Sequence, residues 1–268
     1  MDLRSAEWIN LTAFAFFAGL ALVRPMKPRG RLFVLWLAVA GGVLTWVGVS
    51  ASQWWGRAAG EALRDWLPVG LILIPYWQGG QFARNPSAGL EQRFLEWDRR
   101  WLGRIMESLR CRPFPAVFLE TAYLLFYTLN PVALGILYLT RNRAYVDQFW
   151  LWVLPPTYLC YALLPFIQTR PPRSLAPEAD PSLGRSVNLW LLDNLSIQVN
   201  TFPSCHVVAS LAAAGALLAI LPAAGMLYLG AAASVAAGAV IGRYHYLADA
   251  GAAAVLVGAH GVVIKALL

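Results

Sequence analysis

The sequence predicts an all-α protein, a polytopic membrane bundle of about eight spans. Hydrophobic residues make up 59% of the 268 positions and charged residues only 13%, with a mean hydropathy of +0.55. So much apolar surface needs lipid to cover it. The formal net charge of +7 lies mainly in short segments between apolar runs, where basic residues set orientation and attract anionic headgroups. No pattern typical of nucleic-acid recognition is evident, and we expect no such partner.

The first two apolar runs, about residues 8–23 and 32–50, predict a transmembrane hairpin within residues 1–60. The first run lacks a small-residue cleavage site, so we interpret it as a retained helix. The next run, residues 66–77, is short and contains Pro68 and Pro75. We favour a span there over a re-entrant helix, because the flanking Trp and Tyr side chains suit the headgroup level.

Residues 89–110 have the pattern of an amphipathic helix that lies in the membrane interface. One face is apolar and the opposite face is basic. The apolar positions are Leu90, Phe94, Trp97, Trp101, Ile105 and Met106, and the arginines are Arg93, Arg99, Arg100, Arg104 and Arg110. Two interpretations stay open: an ordinary packing helix, or a surface that gathers lipid substrate.

Five further runs predict the remaining spans, at about residues 116–139, 149–167, 203–221, 224–242 and 246–268. The last three are rich in Ala and Gly, which lets helix backbones approach closely. Residues 168–201 are polar, and we expect Asp193 and Asn194 there to belong to an amphipathic loop, with a role in substrate binding as the alternative. Cys111, Cys160 and Cys205 are too widely spaced for a disulfide framework or a metal knuckle, so we predict packing roles.

The residues that suggest chemistry lie in two short stretches, Phe202-Pro-Ser-Cys-His206 and His245-Tyr-Leu-Ala-Asp249. If His245 opens a helix, Asp249 lies one turn further along the same face and orients the imidazole. With eight spans, His206 lies on the same side of the membrane as His245 and Asp249. Two imidazoles and one carboxylate are suited to phosphoryl transfer through a phosphohistidine: one ring attacks and the other protonates the leaving oxygen.

The same count of eight crossings places Arg170, Arg173 and Arg243 on the side of the membrane where the two histidines lie. Ser204 lies beside the start of the helix that carries His206. Guanidinium groups, a hydroxyl and free N–H groups at a helix start are suitable donors for a phosphate. Each residue also has an ordinary role as a helix cap or headgroup anchor. A metal site built from the two histidines and the aspartate is less favoured, because the arginines would repel a cation. We predict no metal and no cofactor, and a packing role for His260.

The two stretches resemble signatures of the type 2 phosphatidic acid phosphatase (PAP2) superfamily. The first is similar to its Pro-Ser-x-His motif, and Arg243-Tyr-His-Tyr-Leu-Ala-Asp249 to its His-x-x-x-Asp motif. The latter form, with the upstream stretch that ends Gln-Thr-Arg-Pro-Pro-Arg173, is closest to the branch of inositol phosphorylceramide and sphingomyelin synthases. The resemblance implies a six-helix core within residues 61–268, the catalytic membrane domain, to which the N-terminal hairpin is added.

Carried over by position, the resemblance implies that His245 is the nucleophile, Asp249 its orienting carboxylate and His206 the general acid. Arg170, Ser204 and Arg243 would hold the phosphate. Two basic positions of the family pattern are occupied here by Leu163 and Ala239. We therefore predict Arg173 and Arg243 as replacements for the missing cations.

The predicted function is that of an integral-membrane phosphotransferase or phosphatase that acts on a phospholipid phosphate ester or phosphodiester. Transfer to an alcohol such as inositol, ceramide or another lipid is slightly favoured over hydrolysis. The alternative is a polytopic lipid carrier with a His/Asp proton relay. We expect a multi-pass protein of a bacterial-type plasma (inner) membrane. Fifteen of the 21 Lys and Arg residues fall on the predicted catalytic side, which favours the cytoplasm. The resemblance implies the exoplasmic or lumenal side, so both alternatives stay open.

Overall fold

A computed structural model describes residues 2–83, 85–110, 113–175 and 183–267. Within these ranges the chain is helical, without named strands, which confirms the all-α class. The helices are α1 (Ser5–Val23), α2 (Pro28–Trp55), α3 (Arg57–Leu71), α4 (Leu73–Gly80), α5 (Ala88–Arg110), α6 (Pro113–Leu139), α7 (Val146–Leu163), α8 (Pro172–Leu175), α9 (Leu183–Leu195), α10 (Cys205–Ile220), α11 (Pro222–Ile241) and α12 (Leu247–Leu267).

Helices α1 and α2 form the expected hairpin. Helix α2 starts at Pro28, which tolerates the first helical position because its missing N–H has no intrahelical partner there. The two helices approach closely where Gly41 faces the ring of Phe14. At the start of α1, the Asp147 carboxylate accepts hydrogen bonds from the N–H groups of Ser5 (3.3 Å) and Ala6 (3.1 Å). The hairpin therefore packs directly on the rest of the bundle.

The third apolar run consists of two helices, α3 and α4, which meet at Ile72. Near one end of the pair, the Asp65 carboxylate accepts hydrogen bonds from Arg4 (2.6 Å), Arg143 (2.7 Å) and Tyr138 (2.7 Å). This cluster ties α1, α3 and α6 to the segment that precedes α7. Near the other end, Tyr76 lies beside the segment that leads into α10.

The core is centred on α7 and α10, which pack against each other and are surrounded by α1, α6, α11 and α12. Alanine and glycine allow the closest approaches. A Cβ atom at Gly225 would lie 2.3 Å from the backbone nitrogen of Leu218, and one at Gly238 would lie 2.5 Å from the carbonyl oxygen of Leu119. These contacts bring α10, α11 and α6 together at backbone distance.

Five described helices are long and apolar enough to cross a membrane: α1, α2, residues 117–139 of α6, α11 and α12. This supports a membrane protein, but it is fewer than the eight spans expected from the sequence. The difference arises because α3 and α4 are separate short helices and α10 has only 16 residues. Helix α7 is also outside this set; it is the buried centre of the bundle.

Two helices flank the bundle. Helix α5 occupies the range predicted to be amphipathic and leaves Trp97 and Trp101 exposed. Helix α9 replaces the loop expected around Asp193 and Asn194, so that expectation is wrong. Burial of Arg185, Asn188 and Leu192 on one face of α9 explains why this segment is helical.

Candidate active site

The turn between α11 and α12 places His245 and Asp249. It is closed by the N–H groups of Tyr244 and His245, which both donate to the carbonyl of Ala239 at 2.9 Å. Helix α12 begins two residues after His245, and Asp249 lies in its first turn. His245 Nδ1 is 3.1 Å from Asp249 Oδ2. Ring and carboxylate are in contact, as the sequence analysis expected, but His245 lies in the turn before α12 and does not open the helix as that expectation assumed.

His206 lies in the first turn of α10. The start of this helix is fixed against α12, because the Ser204 N–H donates to the Asp249 carbonyl at 3.1 Å. Within α10 the Cys205 N–H donates to the Thr201 hydroxyl at 2.9 Å. His206 Nδ1 then lies 3.3 Å from His245 Nε2. The structure thus brings together the two histidines and the aspartate that the sequence analysis singled out.

Asp249 and His245 are deeply buried, and His206 is partly buried. Asp249 has no exposed surface and His245 is 3% exposed. Asp249 Oδ2 also accepts hydrogen bonds from the Tyr246 N–H (3.0 Å) and the Asn200 amide (3.4 Å). Burial, followed by the positive charge of Arg173, lowers the pKa of His245 to about 3. The ring is therefore neutral at physiological pH and has a free lone pair on one nitrogen.

The cavity beside the histidines has a volume of about 20 Å³, which is room for about one water molecule. Its walls come from α4, α6, α8, the α9–α10 segment and the turn before α12. The expected phosphorus-sized gap between the two rings is closed, since they are in direct contact. A reacting phosphorus must lie about 3–3.5 Å from its nucleophile, so the rings have to separate when a substrate binds.

Arg173 is the predicted phosphate ligand that lines this cavity. Its guanidinium lies over the Tyr244 ring, 5.5 Å from the centroid. Burial lowers the pKa of Arg173, and the group stays cationic because guanidinium is protonated over the whole physiological range. Ser204 is also at the site, and its buried hydroxyl has no hydrogen-bond partner among the described residues.

The structure does not bring the other two arginines to the cavity. Arg170 is half exposed and forms a two-pronged ion pair with Glu91 on α5, with contacts of 3.1 and 2.8 Å. A guanidinium of Arg243 donates to the Pro172 carbonyl at 2.8 Å. Sequence spacing placed both arginines on the correct side of the bundle, but it carried no information about the direction of their side chains.

The sequence analysis missed several polar residues of the site. The Tyr123 hydroxyl is 3.3 Å from His206 Nε2. Nearby, the buried Glu120 accepts hydrogen bonds from Arg185 (3.1 Å), Asn188 (2.7 Å) and Tyr244 (2.5 Å). Glu120 could have been identified from the sequence. It is the single carboxylate in the run 116–139, and ionisable residues inside apolar runs often mark functional positions.

The remaining candidates lie outside the site. His260 Nε2 is 3.0 Å from the Leu151 carbonyl, and the ring packs edge-on against Trp152, which confirms the expected packing role. Cys160 and Cys205 are buried and free, as expected, whereas Cys111 is outside the described residues. In the described ranges no group of three His, Cys, Asp or Glu side chains is arranged to hold a metal ion.

Fold and site together define a helical membrane protein with a buried His-His-Asp constellation near helix starts. The family model of the PAP2 superfamily matches residues 92–263, and the chain belongs to this superfamily. The match begins within α5 and includes both histidine motifs. Searches of curated proteins and of solved structures gave no significant match.

Proposed function

We propose that this protein transfers a phosphoryl group from a membrane phospholipid through a phosphohistidine at His245. Membership of the superfamily supports phosphatase or phosphotransferase chemistry. The observation that carries the proposal is the line of contacts from Asp249 through His245 to His206, with separations of 3.1 and 3.3 Å. It leaves a lone pair on the neutral His245 Nε2, which can attack once the rings separate, and it puts a second imidazole next to it.

In the first step, the lone pair of His245 Nε2 forms a bond to phosphorus and the bond from phosphorus to the lipid oxygen breaks. His206, in its protonated form, gives the Nδ1 proton to the departing oxygen. In the second step, water or an alcohol attacks phosphorus and gives its proton to His206 Nδ1. The P–N bond breaks and its electron pair returns to His245. Asp249 stabilises the positive charge that His245 develops while it is bonded to phosphorus.

Arg173 is the principal phosphate ligand in this proposal, because its partly buried side chain already lines the cavity. Ser204 adds a hydroxyl donor. Arg170 and Arg243 reach a phosphate only after they leave Glu91 and the Pro172 carbonyl. They therefore bind the phosphate only once the site has opened. Transfer to an alcohol acceptor is slightly favoured over hydrolysis by the Arg-x-His-Tyr-x-x-Asp form of the motif.

We also propose eight membrane crossings, with α3 and α4 crossing as one broken helix and α7 and α10 as buried spans. Helix α6 supports this topology. It runs from Glu120, which accepts a hydrogen bond from Tyr244 next to His245, to Tyr138 at Asp65, a distance of about 27 Å at 1.5 Å per residue. This is close to the thickness of the hydrocarbon core, about 30 Å. The α3–α4 pair also runs from Asp65 to the site.

The experiment is incubation of purified protein with a panel of phospholipids, with and without inositol or ceramide, followed by mass spectrometry. We expect a lipid product in which a phosphate bond has been cleaved or exchanged, full activity in EDTA, and inhibition by vanadate. His245→Ala removes turnover and keeps the fold. His260→Gln is the matched control, because it changes a histidine outside the site, and it retains activity.

Turnover by a folded His245→Ala variant would exclude His245 as the nucleophile. If no phospholipid yields a product and the protein instead supports a pH-driven lipid flux, the carrier alternative is correct.

A further inference from the structure

We infer that Tyr123 is a positioning residue for His206, whose hydroxyl fixes which imidazole nitrogen faces His245. This rests on the role proposed above for His206. Tyr123 projects from α6, 83 residues before His206 in the chain, and is 1% exposed. Its hydroxyl lies 3.3 Å from His206 Nε2, the nitrogen on the far side of the ring from His245.

The hydrogen-bond directions follow from Asp249. Its Oδ2 accepts from a backbone N–H, that of Tyr246, so we assign the hydrogen of the adjacent contact to His245 Nδ1. His245 is neutral, and its Nε2 therefore carries a lone pair. The hydrogen between the two rings then comes from His206 Nδ1, which also lies 3.6 Å from the Cys205 sulfur, a weak acceptor for the same N–H. His206 Nε2 is left as an acceptor, and the Tyr123 O–H is the donor that faces it.

The hydrogen bonds therefore form a chain in which each group donates to the next: the Tyr123 O–H to His206, the His206 N–H to His245, and the His245 N–H to Asp249. The hydroxyl also suits the other protonation state. When His206 holds two protons, the Tyr123 oxygen accepts from Nε2–H, because a hydroxyl is both donor and acceptor. In both states Nδ1 stays the nitrogen that exchanges a proton with the reacting oxygen.

Packing holds the hydroxyl in place. The Tyr123 ring stacks on Tyr244 with centroids 4.0 Å apart and planes at 10°, and it stacks on His206 at 5.0 Å. Tyr244 is in turn hydrogen-bonded to Glu120 at 2.5 Å. Since ring stacking fixes the position of Tyr123, Tyr123→Phe removes the hydroxyl and keeps the stacked ring. This variant therefore tests the hydroxyl alone.

The first test is spectroscopic and does not depend on turnover. The protein contains three histidines, so ¹⁵N-histidine labelling resolves each ring. We expect His206 in the wild type to be protonated on Nδ1 and unprotonated on Nε2, with a mixture of tautomers in Tyr123→Phe. Tyr127→Phe is the matched control: Tyr127 is one turn further along α6, 43% exposed, with its ring edge-on to His206 at 6.3 Å. It should leave the His206 signals unchanged.

The second test uses a matched pair of lipid phosphate esters that differ only in an alkoxide or a 4-nitrophenoxide leaving group. In Tyr123→Phe we expect kcat to fall about tenfold for the alkoxide, the usual effect of one lost buried hydrogen bond, and less than about twofold for the nitrophenoxide, which departs without a proton. An equal loss on both esters, no loss on either, or an unchanged His206 tautomer would overturn the inference. If the wild type cleaves no ester, the proposed function fails, and the tautomer measurement still decides the role of Tyr123.

Discussion

The contact between α11 and α6 at Gly238 controls how close Tyr123 lies to the turn that carries His245. A Cβ atom at Gly238 would lie 2.5 Å from the Leu119 carbonyl oxygen and 3.3 Å from the Tyr123 nitrogen. Ordinary van der Waals contact begins near 3.4 Å, and both atoms belong to a helix backbone that cannot rotate away. Gly238→Ala therefore forces α11 and α6 apart. Overpacking of this kind costs about 1–3 kcal/mol.

Gly230→Ala is the matched control, because Gly230 lies on the same helix and a Cβ there meets nothing within 4 Å. Both changes gain the same helix propensity, about 0.8–1.0 kcal/mol. The difference between the two variants therefore isolates the interhelical contact. We expect Gly238→Ala to be less stable than Gly230→Ala by about 1–3 kcal/mol.

Unfolding in detergent micelles, followed by circular dichroism against denaturant or temperature, measures this difference. The displaced α6 also moves Tyr123, so we expect Gly238→Ala to lose activity while Gly230→Ala keeps it. Equal stability of the two variants would refute the reasoning, because α11 and α6 would then not be in backbone contact at this position.

Two further predictions concern the surroundings of the site. Burial raises the pKa of Asp98 from 3.8 to about 6, although its carboxylate accepts the Leu247 N–H at 2.9 Å. The folded state then binds more protons than the unfolded state between these values, so this group's contribution to stability is lost as pH rises through 6. Asp98→Asn keeps an acceptor for Leu247, and we expect it to raise the unfolding midpoint relative to wild type above pH 6 and not below pH 4; an equal shift at both pH values would contradict this. The second prediction compares the same change at two arginines. Arg173→Lys should lower kcat/KM at least about tenfold through loss of the planar guanidinium, which can bind a phosphate with two hydrogen bonds, whereas Arg57→Lys should stay within about twofold, because Arg57 is an exposed side chain that pairs with Glu61 away from the site. Steady-state kinetics on the lipid substrate test this, and similar losses in both variants would contradict it.

The sequence predicted the elements whose signal is local. Long apolar runs gave the membrane class and most helix positions, because lipid-facing helices need a continuous stretch of apolar residues. The short spacing of His245 and Asp249 predicted their contact, although His245 lies in the turn before α12 and the backbone hydrogen bonds of that turn, rather than a helical turn, set the distance. The amphipathic pattern of residues 89–110 likewise gave the bounds of α5 to within a residue.

Residues whose role depends on a distant partner were not found in this way. Tyr123 and Glu120 are in an apolar run that suggested only a span, and they belong to the site because α6 packs against α11. The sequence predicted a loop where α9 lies, because the buried face of this helix includes the polar residues Arg185 and Asn188. Both side chains donate hydrogen bonds to Glu120 on α6, a partner that is distant in the sequence. The direction of Arg170 was decided by Glu91 on α5.

By itself the sequence determined the all-helical membrane class, the two histidine motifs and the carboxylate that contacts one of the histidines. These depend on composition and on residues only a few positions apart in the chain, which the length of the backbone keeps close in space. The tertiary structure decided that the two imidazoles touch, that Arg173 rather than Arg170 faces the cavity, and that Tyr123 is behind His206. His206 and His245 are 39 residues apart in the chain, Arg170 and Glu91 are 79 apart, and Tyr123 and His206 are 83 apart. Only the packing of whole helices determines which side chains meet across such separations.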